Sequence, residues 1–222
     1  MPSTIETTAT VFVVDDDEQM RDSLTTLLQV LGFAVRTFAG GNSFEHFYRP
    51  DMPGCLVLDI RMPRQSGLEL YEQLLRDGKR LPVIFITAHA DVSTAVAAMK
   101  TGAIEFLEKP FDRQLLLDRV RKALQLDAEW RSQDAQFAEL GERVARLSER
   151  ERETLAMIQA GESNKTMAVR LFISERAVEM RRAAIMRKLE VQSVAELLNL
   201  TISHRILAEL RLAADDRRLP LS

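Results

Sequence analysis

Five short apolar runs, each followed by a stretch with helical spacing, constrain the first half of this chain more than any other feature. The runs are VFVV (11–14), FAVRTF (33–38), CLVLD (55–59), PVIFIT (82–87) and AIEFLE (103–108). VFVV is β-branched and continuous, as expected of a strand buried on both faces. Between the runs stand Met20, Leu24, Leu27, Leu28 and Leu31, then a short SFEHFY (43–48), then Leu68, Tyr71, Leu74 and Leu75. Val92, Ala95, Val96 and Met99 follow Asp91, and Leu115, Leu116, Val120 and Leu124 follow Asp112. Gly32, Gly78 and Gly102 stand where these helices must stop, and Asp91 and Asp112 where two of them must start. Such alternation implies a parallel sheet covered by helices on both faces. The expected fold class is α/β, a flavodoxin-like doubly wound five-stranded sheet, followed by a separate all-α domain.

The strand ends carry the chemistry. Asp15 and Asp16 follow the first run, Asp59 ends the third, Thr87 ends the fourth, and Lys109 follows the fifth. Carboxyl ends of strands in an open parallel sheet converge. Three carboxylates crowded there repel one another and raise each other's pKa unless a cation is present. A hard divalent ion such as Mg²⁺ relieves this, using one or two carboxylates and several waters. Asp59 can attack phosphorus and form an acyl phosphate, with Lys109 paired to the phosphoryl oxygens and Thr87 donating to one of them. Taken singly each residue has an ordinary alternative: Asp16 or Asp17 caps the next helix, Thr87 ends a strand, Lys109 lies on the surface. Lys109-Pro110 is an X-Pro bond in a tight loop, open to either isomer; a cis form would aim the Lys109 side chain into the crevice.

The chain has 222 residues, enough for two domains, and a net charge of −3. That charge gives no global attraction to nucleic acid, so any such binding needs a local basic face. A single cysteine, Cys55, excludes a disulfide framework and a cysteine-based zinc site. No run of 18 or more apolar residues occurs, so no membrane span is expected. MPSTIETTAT lacks the basic and apolar regions of a secretory signal, which makes the cytoplasm the expected location.

VVDDDE, LVLDIRMPRQSGLEL, VIFITAHAD and FLEKPF resemble the motifs of response-regulator receiver domains, most closely the FixJ-like branch, over residues 10 to 125. The resemblance implies that Asp59 is phosphorylated by a sensor histidine kinase. It implies that Asp16 and Asp59 bind Mg²⁺ with the backbone carbonyl of Arg61, and that Asp15 assists through water. It implies that Thr87 and Phe106 rearrange together on phosphorylation; plain core packing is the alternative for Phe106. A phosphohydrolase with Asp59 as nucleophile is the rival reading. Such enzymes commonly carry a general acid two positions on, where this chain has Arg61. A flavodoxin-like cofactor binder needs a phosphate cradle after the first strand, where the acidic DDDE repels phosphate.

After Leu124 the pattern is helical throughout. Leu126, Trp130, Phe137, Leu140, Val144 and Leu147 keep a helical spacing through a polar stretch, interrupted by Gly141. This reads as a helical linker whose apolar stripe packs on a partner copy or on either domain. Ser148 with Glu151 forms a capping box, Ser163 or Asn164 can cap a second helix, and a third runs on from Ser174 through Val178, Ile185 and Leu189. A fourth carries Val194, Leu197, Leu198 and Ile202. Two short helices joined by a tight turn form a helix-turn-helix, whose second helix enters the major groove. In residues 174–188, Arg176, Arg181, Arg182, Arg187 and Lys188 stand against Glu175 and Glu179, five positive charges less two negative, or +3 locally.

Residues 147–197, with SNK, RLFIS, IMRKL and the final S-x-AEL, are similar to the LuxR-type DNA-binding domain. The whole chain therefore resembles a two-domain transcriptional regulator of the NarL/FixJ family. The expected organisation is a receiver over 8–125, a linker over 126–146 and a helix-turn-helix domain over 147–212, with dimerisation on phosphorylation favouring binding to duplex DNA. Candidate DNA contacts are Lys165, Arg176, Glu179, Met180, Arg181, Arg182 and Lys188. The chain departs from the usual T-V-K-V-H-R after the turn: Ala177 replaces the Thr and Glu179 the Lys. Glu179 repels phosphate yet can accept from cytosine N4, Met180 suits a thymine methyl, and Arg181 can pair with guanine. An RNA-binding or purely protein-binding output is the remaining alternative. The terminal DDRRLPLS reads as unstructured.

Overall fold

A computed structural model describes residues 9–88 and 91–216. The first eight residues and residues 217–222, which include most of the stretch read above as an unstructured tail, lie outside the described part. The chain divides into two compact units, Met1–Arg131 and Ser132–Ser222.

The first unit alternates strand and helix. In chain order it contains β1 (Thr10–Val14), α1 (Glu18–Val30), β2 (Ala34–Phe38), α2 (Gly41–Phe47), β3 (Gly54–Asp59), α3 (Gly67–Arg76), β4 (Val83–Thr87), α4 (Val92–Lys100), β5 (Glu105–Glu108) and the start of α5 (Arg113–Ala145). The strands form one parallel sheet in the order β2-β1-β3-β4-β5, so the direction in which successive strands are added reverses between β1 and β3. Every residue of β3 and β4 is buried, which explains their unbroken apolar run.

Two apolar layers flank the sheet. Phe12, Leu56, Leu58 and Phe85 point to one side, against Phe44, Leu70, Tyr71, Leu74 and Ala98 of α2, α3 and α4. Val11, Val13, Val57, Ile84 and Ile86 point to the other, against Leu24 and Leu28 of α1 and Leu116, Leu117 and Val120 of α5. Burying each such side chain stabilises the fold by about 1.5–3 kcal/mol before entropy is counted.

Local chemistry sets the helix starts. Asp17 accepts from the Gln19 and Met20 amides, Asp91 from Thr94, and Ser66 joins Glu69 in a reciprocal capping box. Asp17 is thus the capping residue of the acidic triplet, which leaves Asp15 and Asp16 to other work. The fifth strand begins at Glu105, two residues later than the apolar run suggests, because the chain at Ala103 is still closing α4 through the Ala98 carbonyl. Helix α2 begins at Gly41 and has no side-chain cap, since its N-cap residue is Gly40; Ser43, inside the helix, donates to the Gly40 carbonyl. Lys109-Pro110 is cis.

Helix α5 continues past the receiver sheet without interruption to Ala145. Residues 126–131, read above as the start of a linker, fall in the first compact unit. The buried Asp127 accepts from the Gly54 amide at 2.9 Å and from Arg131 Nε at 2.8 Å. Arg131 donates in turn to the Pro50 carbonyl at 3.0 Å and the Met52 carbonyl at 2.5 Å. The Arg80 guanidinium lies 3.5 Å above the Trp130 ring. Gly54 tolerates no side chain, since a Cβ would sit 2.0 Å from the Thr10 carbonyl oxygen.

The second unit contains the end of α5, then α6 (Glu149–Gln159), α7 (Asn164–Arg170), α8 (Glu175–Leu189) and α9 (Val194–Asp216). Ser148, Ser163 and Ser174 cap α6, α7 and α8, and Glu151 completes the box at α6. Leu147, Leu155, Ile158, Met167, Val178, Ile185, Leu189 and Leu197 form its core. The turn between α7 and α8 passes through Phe172 at φ 53, with its ring 95 % exposed.

Candidate functional sites

The register of the sheet gathers the strand-end residues. Val14 pairs with Leu58, which sets Asp15 beside Asp59 across the point where the strand order reverses. Asp59 pairs with Ile86, one residue before Thr87, and Thr87 pairs with Glu108, one residue before Lys109. Lys109 Nζ lies 2.6 Å from Asp15 Oδ2 and 3.0 Å from Asp59 Oδ1. Asp15 is held from behind, accepting from the Asp17 amide at 2.9 Å while its carbonyl accepts from Arg21 at 2.8 Å. Asp15 and Asp59 are buried and Asp16 is exposed, with one ligand atom from each lying within 4.8 Å of the others.

Burial pushes the Asp59 carboxyl above its ordinary value; the Lys109 hydrogen bond and charge pull the other way, and Asp15 and Asp16 add to the rise. Burial also opposes the charge on Lys109, but its bonds to Asp15 and Asp59 outweigh that, and its pKa stands above the usual lysine value. An all-oxygen donor set of three clustered carboxylates is one that a hard divalent cation fits.

Thr87 is fully buried. Its partner Glu108 and the Phe85–Phe106 pair two residues earlier show that Thr87 and Phe106 share the sheet face that carries α4. Phe106 is partly buried against that layer. Arg61 is exposed in the loop after β3.

Sequence reasoning missed Gly67. A Cβ there would stand 2.2 Å from the Asp59 carbonyl oxygen and 3.0 Å from Leu58 Cγ, so the first turn of α3 can lie against the end of β3 only as glycine. A glycine directly after a capping serine was the available signal.

In the second unit, Lys165, Arg176, Glu179 and Met180 are exposed on α7 and α8, with Met180 at 68 %. Arg181 is half-buried. Arg182 and Lys188 are engaged within the unit: Arg182 donates to Asn164 Oδ1 at 2.5 Å, and Lys188 reaches Glu151 Oε2 at 2.7 Å. Among the described residues no helix is long and apolar enough to cross a membrane.

A five-stranded parallel sheet with an acid cluster at its switch point, joined to a capped helix-turn-helix, defines a receiver coupled to a DNA-binding output. A profile of the response regulator receiver domain matches residues 11–121, and one of the luxR family of bacterial regulatory proteins matches residues 145–201. The transcriptional regulatory protein FixJ of Azorhizobium caulinodans is 43 % identical over 192 residues, 86 % of this chain and 91 % of that protein. The response regulator protein TodT of Pseudomonas putida is 38 % identical over 191 residues, 86 % of this chain and 84 % of that protein. The structure of the response regulator StyR superposes with a TM-score of 0.80 at 45 % identity, covering 88 % of this chain and 99 % of StyR. Full-length FixJ from B. japonicum gives 0.55 at 37 % identity, with 90 % and 98 % covered. The chain belongs to the NarL/FixJ family of two-component response regulators, transcriptional regulators with a LuxR-type DNA-binding domain.

Proposed function

We propose that Asp59 is the phosphoacceptor through which a sensor histidine kinase controls binding of this regulator to duplex DNA. The observation that carries the reading is the Asp15–Lys109–Asp59 bridge beside Asp16 at the switch point of the sheet. An Asp59 carboxylate oxygen attacks phosphorus as the phosphorus–nitrogen bond of the kinase phosphohistidine breaks. Its electron pair returns to the imidazole, and an acyl phosphate remains. Asp16, Asp59 and the Arg61 carbonyl would hold Mg²⁺, with Asp15 assisting through water, and the bound ion would supply positive charge against the incoming phosphoryl group. Lys109 exchanges part of its pairing with Asp15 and Asp59 for a phosphoryl oxygen, and the Thr87 hydroxyl donates to another.

Thr87 and Phe106 lie on the face of the sheet that carries α4, which supports a joint movement that reshapes α4 and β5. On α4, Val92, Val96 and Met99 are 82 %, 47 % and 51 % exposed, an apolar patch suited to pairing two chains. Pairing joins two reading heads and raises the effective concentration of the second at a two-part DNA site. Exposed Glu179 and Met180 favour cytosine N4 and a thymine methyl at that site. A protein acting on DNA in this way works in the cytoplasm. Arg61, two residues beyond Asp59, carries a guanidinium that does not release a proton near neutral pH, which disfavours the phosphohydrolase alternative.

The parent and Asp59→Asn are compared with and without a small phosphodonor and Mg²⁺, by sedimentation and by duplex binding. Only the phosphodonor-treated parent is expected to dimerise and gain affinity. Equal behaviour of the two proteins would sink the proposal.

A further inference from the structure

Helix α8 carries the positive charge on which DNA binding rests, and two of its cations, the half-buried Arg182 and the exposed Lys188, are bonded to groups within the second unit. Lys188, in its last turn, donates to Glu151 Oε2 at 2.7 Å. The same Glu151 oxygen accepts from the Ser148 amide at 2.7 Å, so the ion pair joins the end of α8 to the capped start of α6. Arg182, one and a half turns earlier, donates to Oδ1 of Asn164, the first residue of α7. Each tie runs from α8 to the N-terminal end of a different helix. Together they restrain α8 at two points along its length.

The charge available to DNA changes accordingly. Of five cations and two carboxylates in residues 174–188, Lys188 is neutralised by Glu151 and Arg182 is committed to Asn164. Arg182 keeps its charge against a neutral amide, so four cations less two carboxylates leave +2. A phosphate that captured Lys188 would strip Glu151 of the one ion-pair partner it has among the described residues.

We infer that Lys188 and Arg182 are positioning residues, which fix the set of α8 against α6 and α7 and leave the contacts with DNA to Lys165, Arg176, Glu179 and Met180. This rests on the DNA-binding reading above. A direct phosphate contact and a positioning tie differ in salt dependence. Each lost phosphate contact flattens the slope of log affinity against log salt by about 0.9, whereas a disturbed helix weakens binding at every salt concentration alike.

The test uses the full chain, treated with a small phosphodonor and Mg²⁺, and a pool of mixed-sequence duplexes. Lys188→Met and Arg182→Met are expected to lower affinity about three- to tenfold with the parent's slope. Arg176→Met should flatten the slope by about 0.9. Glu151→Gln added to Lys188→Met should cost nothing further, and Lys188→Arg should bind as the parent does. A flattened slope in Lys188→Met, or in Lys188→Arg, overturns the inference while leaving DNA binding intact. A parent that binds no duplex overturns the DNA-binding reading itself, and the inference with it.

Discussion

Replacing Asp127 tests whether the first turns beyond the receiver sheet belong to the receiver. Its carboxylate is 3 % exposed and serves two donors, the Gly54 amide and Arg131 Nε. In Asp127→Ala the Gly54 amide, at the first residue of β3, is left buried without an acceptor, at a cost of about 1–3 kcal/mol. Arg131 keeps the Pro50 and Met52 carbonyls but loses its counter-charge, which brings the total to about 2–4 kcal/mol. Asp127→Asn still offers an oxygen to Gly54 and costs about 1 kcal/mol. For a domain of this size Asp127→Ala corresponds to a melting midpoint lower by about 10 °C.

The chain has a single tryptophan, Trp130, one turn after Asp127 and stacked under Arg80. Urea unfolding followed by its fluorescence therefore reads this region directly. In a double-mutant cycle with Arg131→Met, coupling of about 1 kcal/mol or more is expected. An unchanged midpoint in Asp127→Ala, or additivity in the cycle, would refute the assignment of these turns to the receiver.

Two further perturbations follow from the geometry. Gly67→Ala puts a Cβ against the Asp59 carbonyl, so it should cost about 2–3 kcal/mol and slow phosphorylation by a small phosphodonor; parent-like rates would remove Gly67 from the site. Glu151 is held at about 2, first by the Lys188 hydrogen bond and then by the Ser148 amide. A depressed folded-state value means its stabilisation is present above the unfolded value of about 4.3 and is lost as pH falls toward 2. Lys188 is 36 % exposed, so solvent screening limits this to about 1 kcal/mol. The stability gap between the parent and Glu151→Gln should narrow as pH is lowered through that window; a gap independent of pH would contradict the ion pair.

Much of the site was legible because it depends on local pattern. A continuous β-branched run names a buried strand, and the polar residue just beyond it must lie at the sheet edge where strands converge. Asp15, Asp59, Thr87 and Lys109 could be found in that way before any contact was known. The capping box at Ser148 and Glu151 was legible for the same reason, since both partners lie within one turn. Asp127 was passed over although a signal existed. It continues the stripe of Leu116, Val120 and Ala123 at helical spacing, and a carboxylate in that phase must be buried and partnered.

The sequence by itself determined the five strands, their order of chemistry, the helix starts and the family. Short-range periodicity, capping and motif spacing carry that information, because each depends on residues within a turn or two. The tertiary structure alone decided which distant groups meet. It joined Gly54 to Asp127 across 73 positions, Glu151 to Lys188 across 37, and Asn164 to Arg182 across 18. It also showed that Gly67 lies against Asp59. Contacts of this kind follow from how finished elements pack, and no local pattern encodes their partners. That is why the arginines and lysine of α8 read in the sequence as one basic face, while the fold ties two of them to groups on other helices.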